Sequence, residues 1–197
     1  LKYFGRDDFG CLWAPEIFYN EEDDEYIIHF SATVKADGYQ KMAIYYTKTK
    51  DFENFTMPKL FFEKACGVFD SHLVKIGDTY HLFYKTSAEP LMNMHATSNS
   101  LFGKWQHDYD FQKYMQTLYR PGSHEAATTY ILPDGKWCLM LDFFGCEKEK
   151  MGYVPFTSEK AGDAHFHQVN QLFSFPYGFK HGGVIEISDE EYERLLK

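Results

Sequence analysis

The stretch DSHLVKIGDTYHLFY at residues 70–84 decides the fold, because two segments within it recur along the chain. It opens on an acid, Asp70, and its second segment, YHLFY, begins ten residues later. The same arrangement starts at Glu16, where EIFY precedes YIIHF by ten residues, and at Glu125, where EAAT precedes WCLML by twelve. A fourth start at His181 gives steps of 54, 55 and 56 residues. A period of about 50 residues with several strands per unit predicts β-propeller blades.

The outer parts of the units carry a second repeat with the same phase. A threonine precedes an aromatic residue by eight or nine positions in three pairs, which are Thr47 and Phe55, Thr97 and Trp105, and Thr157 and Phe166. Runs of aromatic and branched residues, separated by turn sequences such as DG at 37–38 and 134–135, predict short strands throughout. The two repeats together predict an all-β chain of the propeller type. A β-sandwich with unevenly spaced hairpins is the alternative.

The repeats divide the chain into about four blades of a five-bladed type, within one domain over residues 1–197. The predicted blades are 11–64, 65–115, 116–160 and 161–188. One period ahead of Glu16 falls before Leu1. We therefore expect this chain to be a partial propeller that lacks the first blade.

The C-terminus departs from the strand pattern. Ser188 and Glu191 have the spacing of a capping box, in which each side chain bonds the other residue's backbone N–H. Acidic residues follow Ser188 directly, where the helix dipole stabilises negative charge. These features predict a short helix over 189–197.

Composition restricts the classes of function. The 197 residues include 20 basic and 29 acidic side chains, a net charge of −9, which disfavours nucleic acid and anionic membranes as partners. The aromatic content of 19% favours an all-β fold and supplies rings that stack on sugars. No membrane-spanning run and no signal peptide are visible, so the location stays open between cytoplasmic and secreted. The four cysteines match no metal-site spacing and are expected to be free thiols; they are Cys11, Cys66, Cys138 and Cys146.

Several short motifs, taken in order, resemble glycoside hydrolase family 43. They are LWAPE at 12–16, FD at 69–70, SNSLFGKW at 98–105, Glu125 ahead of PDGKW at 133–137, and KHG at 180–182. The resemblance runs from about Trp13 to Lys197. It implies a five-bladed propeller that acts on arabinose- and xylose-containing polysaccharides and oligosaccharides, and that requires no cofactor.

The resemblance also implies catalytic roles for two acids. Glu125 matches the general acid, and Asp70 matches the residue that sets the pKa and orientation of that acid. Inverting hydrolysis needs one protonated carboxyl group and one ionised carboxylate that activates water, and a nearby anion keeps an acid protonated. The family takes its general base from a blade that would precede Trp13, where only Asp7 and Asp8 are acidic. The resemblance thus predicts two of three catalytic acids and puts hydrolysis by this chain alone in question.

Further residues are expected to contact substrate or to line the channel. Trp13 offers an aromatic face to a sugar ring, with a place in the core as the alternative. Glu16 is either a substrate contact or structural, and Arg120 and His124 precede the predicted acid and could bond sugar hydroxyls. His181 resembles a last-blade histidine that helps to hold a calcium ion or a water at the channel centre. Calcium prefers oxygen ligands, so water would supply the remainder, and a structural histidine is the alternative.

Two other functions stay open. A carbohydrate-binding propeller without catalysis would bind sugars with no turnover, and a protein-interaction scaffold would use neither acid. A phosphorylase-type transferase is weaker, since the sequence indicates no basic phosphate pocket. An incomplete propeller exposes strand edges, so a homo-oligomer is also expected.

Overall fold

The computed structural model describes residues 5, 7–145, 147, 151–175, 178 and 180–197. Over these residues the chain forms three antiparallel four-stranded sheets. The first sheet contains β1 (Trp13–Asn20), β2 (Glu25–Ala32), β3 (Ala43–Thr49) and β4 (Lys59–Phe62). The second contains β5 (Val68–Ile76), β6 (Thr79–Thr86), β7 (Asn93–Ser98) and β8 (Gln106–His107). The third contains β9 (His124–Ile131), β10 (Trp137–Phe143), β11 (Gly152–Ser158) and β12 (His167–Gln168).

Each sheet is a meander whose strands pair in chain order, as in a propeller blade. The second sheet lies between the other two, and its first strand, β5, contacts both β1 and β9. The first strands of the three sheets are therefore neighbours. The all-β, propeller-like prediction is confirmed, and the residues at corresponding places on these three strands face a common region.

One apolar core joins the three sheets. Its buried members include Ile44 from the first sheet, Leu82 and Phe83 from the second, and Leu139 and Phe156 from the third. β6 is buried along nearly its whole length because a sheet covers each of its faces. The rigid framework that results fixes the relative positions of β1, β5 and β9.

A helix, α1 (Tyr109–Thr117), follows the second sheet and was not predicted from the sequence. Phe111 and Met115, four residues apart, are its buried residues and join the main core. Asp108 caps the helix by accepting hydrogen bonds from two backbone N–H groups. An aspartate followed by apolar residues at helical spacing was the signal available in the sequence.

The Asp108 carboxylate also joins the helix to the sheet. Its Oδ2 atom lies 2.8 Å from Nδ1 of buried His95, and His95 Nε2 lies 3.0 Å from His81 Nδ1. We expect Asp108→Ala to lower the free energy of unfolding by about 1–2 kcal/mol, since the cap and the partner of a buried imidazole are lost together. Urea denaturation near neutral pH measures the change. Asp110→Ala, an exposed position on the same helix, is the control, and an equal loss in both variants would contradict the capping role.

The range 161–188, expected to form a fourth blade, contributes β12 to the third sheet. The other described residues of this range form no strand. The predicted C-terminal helix is confirmed as α2 (Asp189–Leu195), and Ser188 and Glu191 form its capping box. Among the described residues, every helix is too short or too polar to span a lipid bilayer.

Candidate active site

The same β-bulge interrupts the first strand of every sheet. In each case two residues on the first strand face one residue on the second: residues 14–15 on β1, 70–71 on β5 and 126–127 on β9. The first residue of each bulge has a left-handed backbone, and these are Ala14 (φ 44°), Asp70 (φ 50°) and Ala126 (φ 52°). The structurally equivalent positions are therefore Ala14, Asp70 and Ala126. Glu16 lies two residues after Ala14, and Glu125 lies one residue before Ala126. The sequence repeat therefore aligned these two acids with Asp70, although neither is at the structurally equivalent position.

Among the three acids singled out in the sequence, Glu16, Asp70 and Glu125, Asp70 is the buried one. The residue is 7% exposed, and its backbone N–H donates to the hydroxyl oxygen of Ser31 over 3.0 Å. The pKa of the Asp70 carboxyl is raised to about 6, chiefly by burial; the negative charge of Glu125 also raises it, while His181 and Lys85 act in the opposite direction. Asp70 therefore keeps its proton to a much higher pH than an ordinary aspartate does.

Glu125 lies beside Asp70 at the start of β9. It pairs with Asp142 across β9 and β10, and its Oε2 atom is 3.6 Å from the ammonium nitrogen of Lys85. Its side chain is 22% exposed, so the carboxylate is open to solvent at this edge. The structure thus brings the two predicted acids, Asp70 and Glu125, into one electrostatic group with one partly open carboxylate.

Two members of this group were missed from the sequence, Lys85 and Asp142. The Lys85 side chain is 2% exposed and Asp142 is fully buried, although each sits in a strand made mainly of aromatic and aliphatic residues. Asp142 Oδ1 accepts the backbone N–H of His181 over 2.9 Å, and burial raises the pKa of its carboxyl. A charged residue inside an apolar strand is costly to bury unless it is paired, and that was the available signal.

A second polar bridge links all three first strands. His72 Nδ1 lies 2.8 Å from Glu16 Oε2 on β1, and His72 Nε2 lies 3.0 Å from the Thr129 hydroxyl on β9. Glu16, His72 and His181 line a cavity of about 460 Å³ between β1 and the segment that begins at His181. Glu16 therefore lines this cavity while it is also tied to the neighbouring sheet.

The remaining predicted contacts are distributed around this edge. Trp13, at the start of β1, is 55% exposed. The Arg120 guanidinium bonds the carbonyl oxygen of Gly145, and its backbone is left-handed with φ 51°. His124 is 4% exposed, and burial lowers the pKa of its imidazole to about 4. Its burial leaves little of the His124 ring open to a sugar, while Trp13 has an open face.

Comparison with known protein families shows which family the chain belongs to. Residues 3–193 match the sequence model of a family related to glycoside hydrolase family 43 and described as "Probable glycosyl hydrolase domain". The chain belongs to this family. The resemblance read from the motifs is thereby confirmed, and the match covers all three sheets of this family 43-related glycosyl hydrolase chain.

Individual relatives agree with the family. An α-L-arabinofuranosidase of Bifidobacterium longum subsp. longum is 30% identical over 89 residues, which are 39% of this chain and 8% of that protein. A thermostable family 43 glycoside hydrolase superposes with a TM-score of 0.57 at 14% identity, over 80% of this chain and 54% of that one. The catalytic domain of a family 62 α-L-arabinofuranosidase of Coprinopsis cinerea gives 0.56 at 16%, over 81% and 50%. The chain thus spans about half of these solved structures, and at such identities the likeness shows the fold.

The metal and thiol predictions have different outcomes in this family 43-related chain. Within the described ranges, no group of three or more His, Cys, Asp or Glu side chains could hold a metal ion. Calcium or water at His181 stays a prediction. In that prediction water supplies the other ligands, so the protein side chains alone do not test it. Cys11, Cys66 and Cys138 are free thiols, and Cys146 lies outside the described residues.

Proposed function

We propose that this chain carries the general acid, and the carboxyl group that modulates it, of an inverting glycoside hydrolase that acts on α-L-arabinofuranosidic or β-xylosidic bonds. The observation that carries the proposal is the placement of Asp70 and Glu125 on neighbouring first strands, one carboxyl group buried and the other partly open to solvent. Family membership supports glycoside hydrolysis as the reaction class. The arabinofuranosidase named among the relatives supports the choice of sugar.

In this proposal Glu125 protonates the leaving oxygen and Asp70 controls its charge and orientation. The leaving oxygen has to approach a carboxyl group from solvent, and Glu125 is the more open of the two acids. Asp70 sits behind it in a buried position, where the negative charge of Glu125 disfavours ionisation of the Asp70 carboxyl. The two acids therefore divide the work as a general acid and its modulator.

The general base and the number of blades also belong to the proposal. His181 has a left-handed backbone, φ 50°, and its N–H bonds Asp142, just as the N–H of Asp70 bonds Ser31. We infer that His181 opens a further blade, as the four-blade interpretation expects. The base in a blade ahead of Trp13 stays a prediction. Asp142 is fully buried and so does not meet a substrate water.

A carbohydrate-binding role without catalysis is the second candidate. The exposed Trp13 favours it, because an open indole near the carboxylates gives a sugar ring a surface to stack on. Such a module would retain sugar binding whatever the state of the acids. Homo-oligomer formation through open strand edges stays a prediction under either function.

Turnover of aryl α-L-arabinofuranoside and aryl β-xyloside tests the proposal, with calorimetric binding of arabino- and xylo-oligosaccharides measured alongside. Where a general base completes the acid pair, the proposal expects release of the aryl group, with the first sugar product of inverted anomeric configuration by proton NMR. Saturable binding without turnover would favour the binding module. Neither binding nor turnover would contradict both carbohydrate functions and favour a scaffold.

A further inference from the structure

Lys85 occupies a repeat position that has a different task in the neighbouring sheets. In each sheet, the residue just before the bulge on the first strand pairs with one residue of the second strand. These partners on the second strands are Ser31, Lys85 and Asp142. Ser31 and Asp142 reach across to the next unit and accept the backbone N–H of its left-handed residue. An ammonium group has no acceptor atom, so Lys85 has a different role in the second sheet.

The contacts of Lys85 point to Glu125. Its ammonium group donates to the carbonyl oxygen of Gly122 over 2.5 Å and lies 3.6 Å from Glu125 Oε2. The ring of Phe144 lies 4.5 Å from the ammonium nitrogen on another side. The Gly122 bond and the aromatic ring fix the cation, because its side chain is 2% exposed and has little room to move. A fixed buried cation beside a partly open carboxylate restrains that carboxylate in one place.

We propose that Lys85 is a positioning residue whose buried ammonium group holds the Glu125 carboxylate beside Asp70 and offsets the negative charge of the two acids. The proposal rests on the function proposed above and adds a residue that acts through Glu125. When Asp70, Glu125 and Lys85 are all ionised, their net charge is −1, whereas the two carboxylates without Lys85 would carry −2. Lys85 therefore limits the mutual repulsion of the acids.

The charges around Asp70 show the direction of this effect. Glu125 on β9 and Asp142 on β10 raise the pKa of the Asp70 carboxyl, whereas Lys85 on β6 and His181 lower it. On the side of β2, the neighbour is the uncharged hydroxyl of Ser31. Burial lowers the pKa of Lys85, and Glu125 counteracts that lowering. Removal of the ammonium charge should therefore make the Asp70 carboxyl hold its proton to higher pH.

The test is an NMR titration of the Asp70 carboxyl carbon in the wild-type chain, Lys85→Met and Lys85→Arg. Lys85→Met fills the buried space without a charge, and we expect the Asp70 midpoint to rise by about 1 pH unit. Lys85→Arg keeps the charge and should restore the wild-type midpoint. Lys75→Met is the matched control, because its ammonium pairs with Glu22 on the surface at 2.6 Å, and it should not move Asp70. A folded Lys85→Met with the wild-type midpoint would overturn the proposal.

A reciprocal variant covers the case in which Lys85→Met does not fold. In Glu125→Gln, the NMR titration midpoint of the Lys85 amine should fall, because Glu125 favours the charged ammonium; an unchanged midpoint would overturn the proposal. Where the wild type turns over substrate, the alkaline limb of the pH profile should rise with the Asp70 midpoint in Lys85→Met. Absence of both wild-type turnover and sugar binding would contradict the proposed function, while the titrations still decide the role of Lys85.

Discussion

Glu125→Gln should lower kcat for an arabinofuranoside with a poor leaving group by about 10²–10⁴-fold, the range that a positioned general acid contributes. Glutamine keeps the shape of the side chain and its place near Lys85, but it has no proton to give. The loss should appear in kcat, since protonation of the leaving oxygen occurs in the transition state. Initial rates on an alkyl or oligosaccharide substrate measure it.

The leaving group provides the control for this variant. An aryl group with strongly electron-withdrawing substituents departs without protonation, so Glu125→Gln should retain most of the wild-type rate on a dinitrophenyl arabinofuranoside. A misfolded or misplaced site would lose both rates together. Equal losses on good and poor leaving groups would therefore contradict the role of Glu125 as general acid. Circular dichroism of the variant confirms that the fold is intact.

Asp70→Asn should abolish turnover and yet stabilise the protein above neutral pH. The ordinary aspartate pKa of 3.8 is raised to about 6 in the folded chain, so folding favours the protonated form. The stability that this proton contributes is present at low pH and is lost as the pH rises through about 6. Asparagine has no proton to lose, and it tolerates the left-handed backbone of Asp70, φ 50°.

The stability change has a defined pH dependence. A shift of this size corresponds to about 3 kcal/mol above pH 6, and the gain in Asp70→Asn should be about 2 kcal/mol larger near pH 7.5 than near pH 4.5. Urea denaturation of both proteins at the two pH values measures the difference. Asp110→Asn, a surface carboxylate paired with Lys113, should show no such change. A pH-independent difference between Asp70→Asn and the wild type would contradict a raised pKa at Asp70.

The repeat in the sequence was sufficient to predict the blades and the approach of Asp70 to Glu125. Strand-forming residues and turns at a constant period define a meander, and successive meanders place their first strands side by side. The capping box at Ser188 likewise predicted α2, because a cap depends only on residues within one turn. The repeat period and local capping residues were thus enough to predict the sheets and the C-terminal helix.

The bulges explain what the sequence could not supply. An extra residue on each first strand moves every following side chain to the other face of the sheet. The residues that the sequence repeat aligned therefore differ from the residues at equivalent places in the folded sheets. Lys85 and Asp142 join the site through their pairing opposite Phe69 and Glu125, a register that only the folded sheets define. Helix α1 was missed because its apolar residues lay between two strong strand signals, and tertiary packing of Phe111 selected the helix.

The most direct test of the central claim, that Asp70 and Glu125 form one coupled acid pair, is the titration of the Asp70 carboxyl carbon in the wild-type chain and in Glu125→Gln. We expect a wild-type midpoint near pH 6 and a lower midpoint in the variant, because the charge of Glu125 raises the pKa of Asp70. A midpoint near the ordinary 3.8 in both proteins would contradict the account, since it would mean that Asp70 is neither buried nor near Glu125.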